Sequence, residues 1–325
     1  MAGEARIAIA AEMPGSVGDM IERAIPDVAW HRLDDVSQQG VPADCKVLVL
    51  LPSHNATNRN RPRPPGWPGH VRHVQLLSAG LDGYPAWVFE APLVTSVRGF
   101  NAVPVAEFAL AAVAARAKRI PECWVRDASE WGYRQLGSIS GADLGIVGFG
   151  AIGSELASRA KALGMNVSVL RRSAAHLPDG IGRAASLEEL AARCDHLVIA
   201  APSTPETQGM VSRAVLAAAR PGLHLVNVAR GELVDEAALV EALDSGQVDW
   251  ASLDVLTQEP PDAGHPLLGH PRARVSPHTA SSSPTTLQAL IAIVADNIAR
   301  FRSEAPLRNI VTAEVAPAAA SAGAG

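Results

Sequence analysis

Asp143-Leu144-Gly145-Ile146-Val147-Gly148-Phe149-Gly150-Ala151-Ile152-Gly153 is the stretch that decides the fold. Residues 143–148 have the apolar run of a buried strand, and residues 151–163 have the composition of a helix. Between them the glycines fall in the pattern G-x-G-x-x-G. The first glycine permits a tight turn, the second lets the backbone approach a pyrophosphate, and the third lets helix and strand pack closely. Free N–H groups and the dipole at the helix start favour phosphate. Glycines also make ordinary strand–helix turns. The strand before and the helix after are what point to a dinucleotide site at Gly148, Gly150, Ala151, Ile152 and Gly153.

The next strand, residues 166–170, ends in Leu170-Arg171-Arg172-Ser173. An acid is expected about 20 residues past the glycine loop when the cofactor is NAD, because a carboxylate accepts from the ribose hydroxyls. Here two guanidiniums stand in its place, and they suit a 2′-phosphate. Arg171, Arg172 and Ser173 are therefore read as NADP-selecting, although two such arginines could also be plain surface charge. Strands and helices go on alternating downstream. Residues 186–193 read as helix, 195–200 as strand, 212–219 as helix, 223–228 as strand and 235–245 as helix with Asp235 as N-cap. Strands at 250–255 and 273–275 follow, then a helix over 284–303 opened by Pro284.

Upstream lies a second α/β series without a glycine loop. Residues 5–10, 45–51, 73–77 and 93–97 read as strands, 17–24 as a helix and the Pro- and Asn-rich 54–70 as irregular. Residues 102–119 read as a helix with Pro104 in its first turn and Pro121 marking its end. Alternating strands and helices predict parallel sheets with helices on both faces. The small-residue tail, 315–325, is expected to be disordered.

A chain of 325 residues is long for one core and suggests two domains. With 48% hydrophobic and 19% charged residues it is globular, and a net charge of −5 excludes an electrostatic nucleic-acid binder. Glu107 and Arg116 interrupt the best apolar run, so no membrane span is expected. The start of the chain lacks a signal-peptide core, and three scattered cysteines suggest reduced thiols, which together indicate a cytoplasmic protein. Ten histidines do not group along the chain with cysteines or acids at ligand spacing, so no metal is expected.

Three later segments each follow a strand: Asn227-Val228-Ala229-Arg230-Gly231-Glu232-Leu233-Val234-Asp235, Leu253-Asp254-Val255-Leu256-Thr257-Gln258-Glu259-Pro260 and Ser276-Pro277-His278-Thr279-Ala280. Open α/β sheets bind ligands beyond such strand ends. Taken singly, Arg230 could be a helix-entry arginine, Glu259 a loop acid and His278 a capping histidine. In this order, and with NAVPVAEFALAAVAARAKRI, LLSAGLDGY and HLVIAAPSTPETQGMV upstream, the chain resembles the D-isomer-specific 2-hydroxyacid dehydrogenase family over nearly its whole length, and within it the glyoxylate/hydroxypyruvate reductases.

The resemblance implies a Rossmann cofactor domain, residues 98–282, inserted in a flavodoxin-like substrate domain, residues 1–97 plus 283–314, with catalysis between them. It implies that His278 is the general acid and base, that Glu259 hydrogen-bonds and tunes it, and that Arg230 grips the substrate carboxylate. Ser78, Ala79, Gly80 and Leu81 would offer backbone N–H groups to that carboxylate. Asp254 would meet the nicotinamide carboxamide, and Pro202, Thr207, Val228 and Ala229 would lie along the cofactor. A homodimer is implied, with residues 124–134 as its arm and Trp124 or Trp131 reaching a neighbouring site. The sequence departs from the family at Phe108, where a histidine is common, and at Ser281-Ser282, where a glycine often follows.

Glutamate rather than glutamine at 259 argues against formate, the lack of lysine in Leu77-Ser78-Ala79-Gly80 against phosphite, and the lack of a regulatory extension against 3-phosphoglycerate. Reduction of glyoxylate or hydroxypyruvate with NADPH is the leading expectation. The alternatives are an NAD-preferring dehydrogenase of a bulkier keto acid and a cofactor-sensing, corepressor-like binding protein.

Overall fold

The computed structural model describes residues 7–13, 15–52, 60–120 and 122–312, so the tail at 315–325 and Pro121 lie outside the described residues. The chain divides into two compact units, Met1–Asn101 with Ser283–Gly325, and Ala102–Ser282. The first boundary falls after residue 101, where the sequence suggests 97.

The first unit holds β1 (Ile7–Glu12), α1 (Gly15–Ala24), β2 (Val28–Arg32), α2 (Val36–Gln39), β3 (Cys45–Leu50), β4 (His73–Leu76) and β5 (Val94–Thr95). Its pairs are all parallel, in the order β2-β1-β3-β4-β5. That is the flavodoxin-like arrangement. Both faces are covered, so the strands read as nearly unbroken apolar runs. Ile9, Val47 and Val49 pack with Ile21 of α1 and with Leu290, Val294 and Ile298 of the last helix, which spans Pro284–Arg302. Ala8, Ala10, Leu48 and Leu50 pack on the other face with Trp67, Trp87 and Val88.

The second unit runs α3 (Ala102–Ala117), β6 (Asp143–Val147), α4 (Ala151–Ala162), β7 (Asn166–Leu170), β8 (Ile181–Arg183), α5 (Leu187–Arg193), β9 (His196–Ile199), α6 (Arg213–Ala218), β10 (Leu223–Asn227), α7 (Glu236–Ser245), β11 (Val248–Leu253) and β12 (Ala273–Val275). The helix Pro284–Arg302, here α8, returns to the first unit. The seven strands order as β12-β11-β10-β9-β6-β7-β8, all parallel, which is the Rossmann order with one strand added. Val105, Ala109 and Val113 of α3 pack with Leu156 and Ala160 of α4 on one face, and Leu190, Leu216 and Leu239 of α5–α7 fill the other.

The local signals act as capping rules require. Asp235 accepts from Ala238 N at 3.0 Å to open α7, and Ser186 accepts from Glu189 N at 3.1 Å to open α5. α3 stops at Ala117, before the proline expected to end it. Three elements escape the sequence pattern: β2, α2 and β8.

The sheet also gathers residues that lie apart along the chain. His31, Asp44 and Cys45 do come together, with one potential ligand atom each and all three atoms within 4.8 Å of one another. They were invisible along the chain because β2 and β3 meet only across β1.

Candidate active site

The glycine loop joins β6 to α4. Gly148 has φ +93°, and a Cβ on it would sit 2.7 Å from Ala200 O; one on Gly153 would sit 2.1 Å from Gly148 O. Neither position has room for a side chain, so the turn draws β6, α4 and the end of β9 together. Gly150 differs: a Cβ there would meet nothing within 4 Å. It is exposed and stands as N-cap of α4, beside the helix's first N–H groups. Those donors have no partner inside the helix. An open backbone at a helix start suits a pyrophosphate, so the loop fits a dinucleotide.

At the end of β7, the Arg171 guanidinium carbon stands 5.7 Å from the Phe149 ring centroid. The aromatic face inside the glycine loop thus steers Arg171 beside it. Arg172 and Ser173 are exposed, and Arg183 Nη1 donates to Ser173 O at 3.0 Å. After β9, Thr207 Oγ1 donates to Pro202 O at 2.8 Å and accepts from Thr204 N at 2.8 Å, folding 202–207 into a compact turn.

Arg230, Glu259 and His278 sit on three loops that follow β10, β11 and β12. The first two loops touch. A Cβ on Gly231 would lie 1.9 Å from Leu256 C, so only glycine lets the Arg230 loop lie against the loop that carries Glu259. Asn227, 1% exposed, holds the arginine turn by accepting from Ala229 N at 3.0 Å and donating to Arg230 O at 2.8 Å. Arg230 Nη1 itself donates to Ala229 O at 2.8 Å. Val228 and Ala229 are buried beneath it.

His278 and Glu259 meet: imidazole Nδ1 lies 2.7 Å from Oε2 of Glu259. The other carboxylate oxygen accepts from Leu256 N at 3.1 Å, which fixes its plane. Both side chains remain more than a third exposed, at 36% and 37%. His278 has φ +51°, a left-handed conformation that costs a non-glycine residue roughly 1 kcal/mol. Its surroundings hold it there. His278 N donates to Asp254 O at 2.8 Å, while the Asp254 carboxylate accepts from Ser276 Oγ at 2.6 Å, Thr279 N at 2.9 Å and Ala280 N at 2.9 Å.

Asp254 is 2% exposed, and its carboxylate spans the turn that presents the histidine. The contact with the nicotinamide carboxamide that the resemblance implies for Asp254 is a separate expectation. Sequence reasoning also passed over Asn227, Gly231 and Ser276; the only local signal was their place at strand ends beside the chosen residues.

In the first unit, Ser78 follows β4. Its hydroxyl donates to Gly80 O at 2.5 Å, and Tyr84 OH accepts from Leu77 N at 3.1 Å. Ser78, Ala79, Gly80 and Leu81 are all half-buried. Burial raises the Tyr84 phenol well above its usual range, so this hydroxyl acts as a neutral brace for the loop.

The family model for the D-isomer-specific 2-hydroxyacid dehydrogenase NAD-binding domain matches residues 108–280. A glyoxylate/hydroxypyruvate reductase A of Serratia proteamaculans is 32% identical over 282 residues, covering 83% of this chain and 85% of that protein. A D-3-phosphoglycerate dehydrogenase of Bacillus subtilis is 34% identical over 224 residues, covering 67% of this chain but only 42% of that longer protein. The first relatives are thus matched over about half their length: a glycerate dehydrogenase of Methylorubrum extorquens is covered over 54%. Among solved structures, an NADPH-dependent glyoxylate/hydroxypyruvate reductase from Sinorhizobium meliloti, in complex with NADP and malonate, superposes with a TM-score of 0.77 at 26% identity. The match covers 96% of this chain and 98% of that one. With two parallel α/β units, the glycine loop and these matches, the chain belongs to the D-isomer-specific 2-hydroxyacid dehydrogenase family.

Proposed function

We propose that the protein reduces a small 2-keto acid of the glyoxylate or hydroxypyruvate kind to the D-2-hydroxy acid, with NADPH as the reductant. The observation that carries this reading is the 2.7 Å pairing of His278 Nδ1 with Glu259, on the unit that also bears the dinucleotide loop. A bound nicotinamide would supply the hydride. The chain's own residues would do the rest. Glu259 holds the ring by Nδ1, so Nε2 is the nitrogen that would pass a proton to the carbonyl oxygen. Arg230 would take the substrate carboxylate on its planar fork.

Preference for NADPH rests on Arg171 and Arg172 standing where a carboxylate would repel the 2′-phosphate. The NADP complex of the Sinorhizobium meliloti relative supports it. A cytoplasmic setting is supported by three free cysteines, and no helix among the described residues is long and apolar enough to cross a membrane. A homodimer is supported by the exposed aromatic rings of Trp124, Trp131 and Tyr133.

The test is the loss of nicotinamide absorbance with NADPH or NADH against glyoxylate, hydroxypyruvate, pyruvate and phenylpyruvate. Faster oxidation of NADPH than NADH with the smaller acids is expected. Tight cofactor binding without turnover of any acid would favour a sensor instead.

A further inference from the structure

Far from the glycine loop in sequence, the first unit gathers three side chains of metal-binding type. His31 lies on β2, Asp44 just before β3, and Cys45 begins β3. β2 and β3 flank β1, so they stand about 9.6 Å apart at the usual strand spacing. Side chains can reach across that gap only if the strand between is small there. It is: Ala10 pairs with His31, and Ala8 pairs with Cys45. Ala8, Ala10 and Cys45 share one face of the sheet, and strand alternation puts His31 on the same face as Ala29, which packs there too. A register shift between Ala8 and Ile9 sits beside the cluster. Irregularities of this kind re-aim side chains.

Each oxygen of the Asp44 carboxylate already meets one partner, and a shift of the exposed Asp44 would bring one oxygen to both. Nε2 of His31 is 3.3 Å from Oδ2 of Asp44, and Sγ of Cys45 is 3.8 Å from Oδ1 of Asp44. Neighbouring ligands on Zn²⁺ stand about 3.3–3.6 Å apart, from bonds of 2.0–2.3 Å. The widest pair here is within 4.8 Å, and Asp44 is exposed enough to swing inward. We propose that His31, Asp44 and Cys45 form a Zn²⁺ site that pins the edge strand β2 to β3 across β1, with water as the fourth ligand.

The donor set is one nitrogen, one oxygen and one sulfur, which favours Zn²⁺ over the hard cations Mg²⁺ and Ca²⁺. Thiolate and carboxylate together balance the ion's charge. Burial first, and Asp44 second, push the Cys45 thiol up to about 12, so the sulfur is a thiol until an ion displaces its proton. Coordination would release that thiol proton to solvent. β2 has a neighbour on one side only, so a cross-link there would hold the part of the sheet least supported by its own ladder.

The experiment uses the full chain, stripped with chelator under reducing conditions, and Co²⁺ as the probe. One equivalent should produce a sulfur-to-cobalt charge-transfer band, which Zn²⁺ then abolishes by displacement, and Zn²⁺ should raise the melting temperature. Cys45→Ser should lose the band. His31→Gln, at a half-exposed edge where folding is safe, should weaken Zn²⁺ binding at least about tenfold, one of three protein ligands being gone. NADPH oxidation should be unchanged in His31→Gln. No charge-transfer band in the unaltered chain overturns the proposal. So does a band that survives in Cys45→Ser, which would come from Cys123 or Cys194, or Zn²⁺ affinity untouched in His31→Gln.

Discussion

The two ends of the second sheet use histidine in opposite ways. Beyond the carboxyl ends of β10–β12, His278 stands at the surface with a carboxylate on Nδ1. Toward the amino ends of β9 and β10, His196 and His224 are buried, their Nδ1 atoms 3.0 Å apart, and His224 Nε2 meets Ser252 Oγ at 3.0 Å. Burial, with Arg116 nearby, holds His224 well below the ordinary imidazole range and brings His196 down to about 4. A buried pair kept neutral is a structural rung. A histidine that faces both water and an acid stands where a ligand can reach it. Residue type does not separate the two; the end of the sheet and the depth do.

The largest effect that could break this comparison is catalytic. His278→Ala should lower kcat by about 10²–10⁴-fold while NADPH affinity and the circular dichroism spectrum stay unchanged. His196→Gln should leave kcat at neutral pH close to that of the unaltered protein. Equal losses in the two variants would erase the distinction.

Next comes the clamp beneath the exposed histidine. Asp254→Asn replaces one acceptor oxygen with a donor among three N–H and O–H donors, and should cost about 2 kcal/mol in urea unfolding. Its kcat should fall further than its KM rises, because the turn that aims His278 loosens. An Asn variant of full activity would mean that φ +51° at His278 needs no such support.

A smaller effect is expected at the cofactor. Arg171→Asp together with Arg172→Ala should raise the KM for NADPH by about tenfold or more and spare that for NADH. Phe149→Leu, which removes the ring beside Arg171, should give a weaker change in the same direction. Steady-state kinetics with both nucleotides would check the pair, and an unmoved NADPH value would sink the arginine argument.

The smallest effect at neutral pH belongs to the buried rung. The folded-state value of His196 is lowered, so the unfolded chain takes up the proton first as pH falls. Its stabilising contribution is complete above pH 6.5 and drains between 6.5 and about 4, by about 1.4 kcal/mol per pH unit. Urea midpoints measured across that window should fall, and fall less steeply in His196→Asn. A slope that did not change would mean the imidazole titrates freely despite its burial.

Much of this was legible in the chain itself. The glycine loop, Asp235 as a cap and the strand-end positions of Arg230, Glu259 and His278 announce themselves because each depends on a local pattern. β2 and β8 do not, since Val-Ala-Trp-His-Arg and Ile-Gly-Arg are edge strands with one ladder and half-exposed side chains, and so carry no apolar run. The roles of Asn227 and Asp254 were equally hidden. Each acts on a loop that reaches it only after the sheet has assembled. The grouping of His31 with Asp44 and Cys45 needs the sheet order itself.

The chain leaves the first unit at Asn101 and returns to it at Ser283, and this ordering has a consequence in time. During synthesis β1–β5 emerge early, yet Ile9, Val47 and Val49 are covered by Leu290, Val294 and Ile298, made far later. With roughly 180 residues intervening and a synthesis rate of about 5–20 residues per second, the wait is on the order of 10–40 s. The second unit is continuous and can close during that interval. The first spends it with that sheet face covered by α1 but not by the last helix, which leaves apolar surface on the nascent amino-terminal segment for a chaperone to shield.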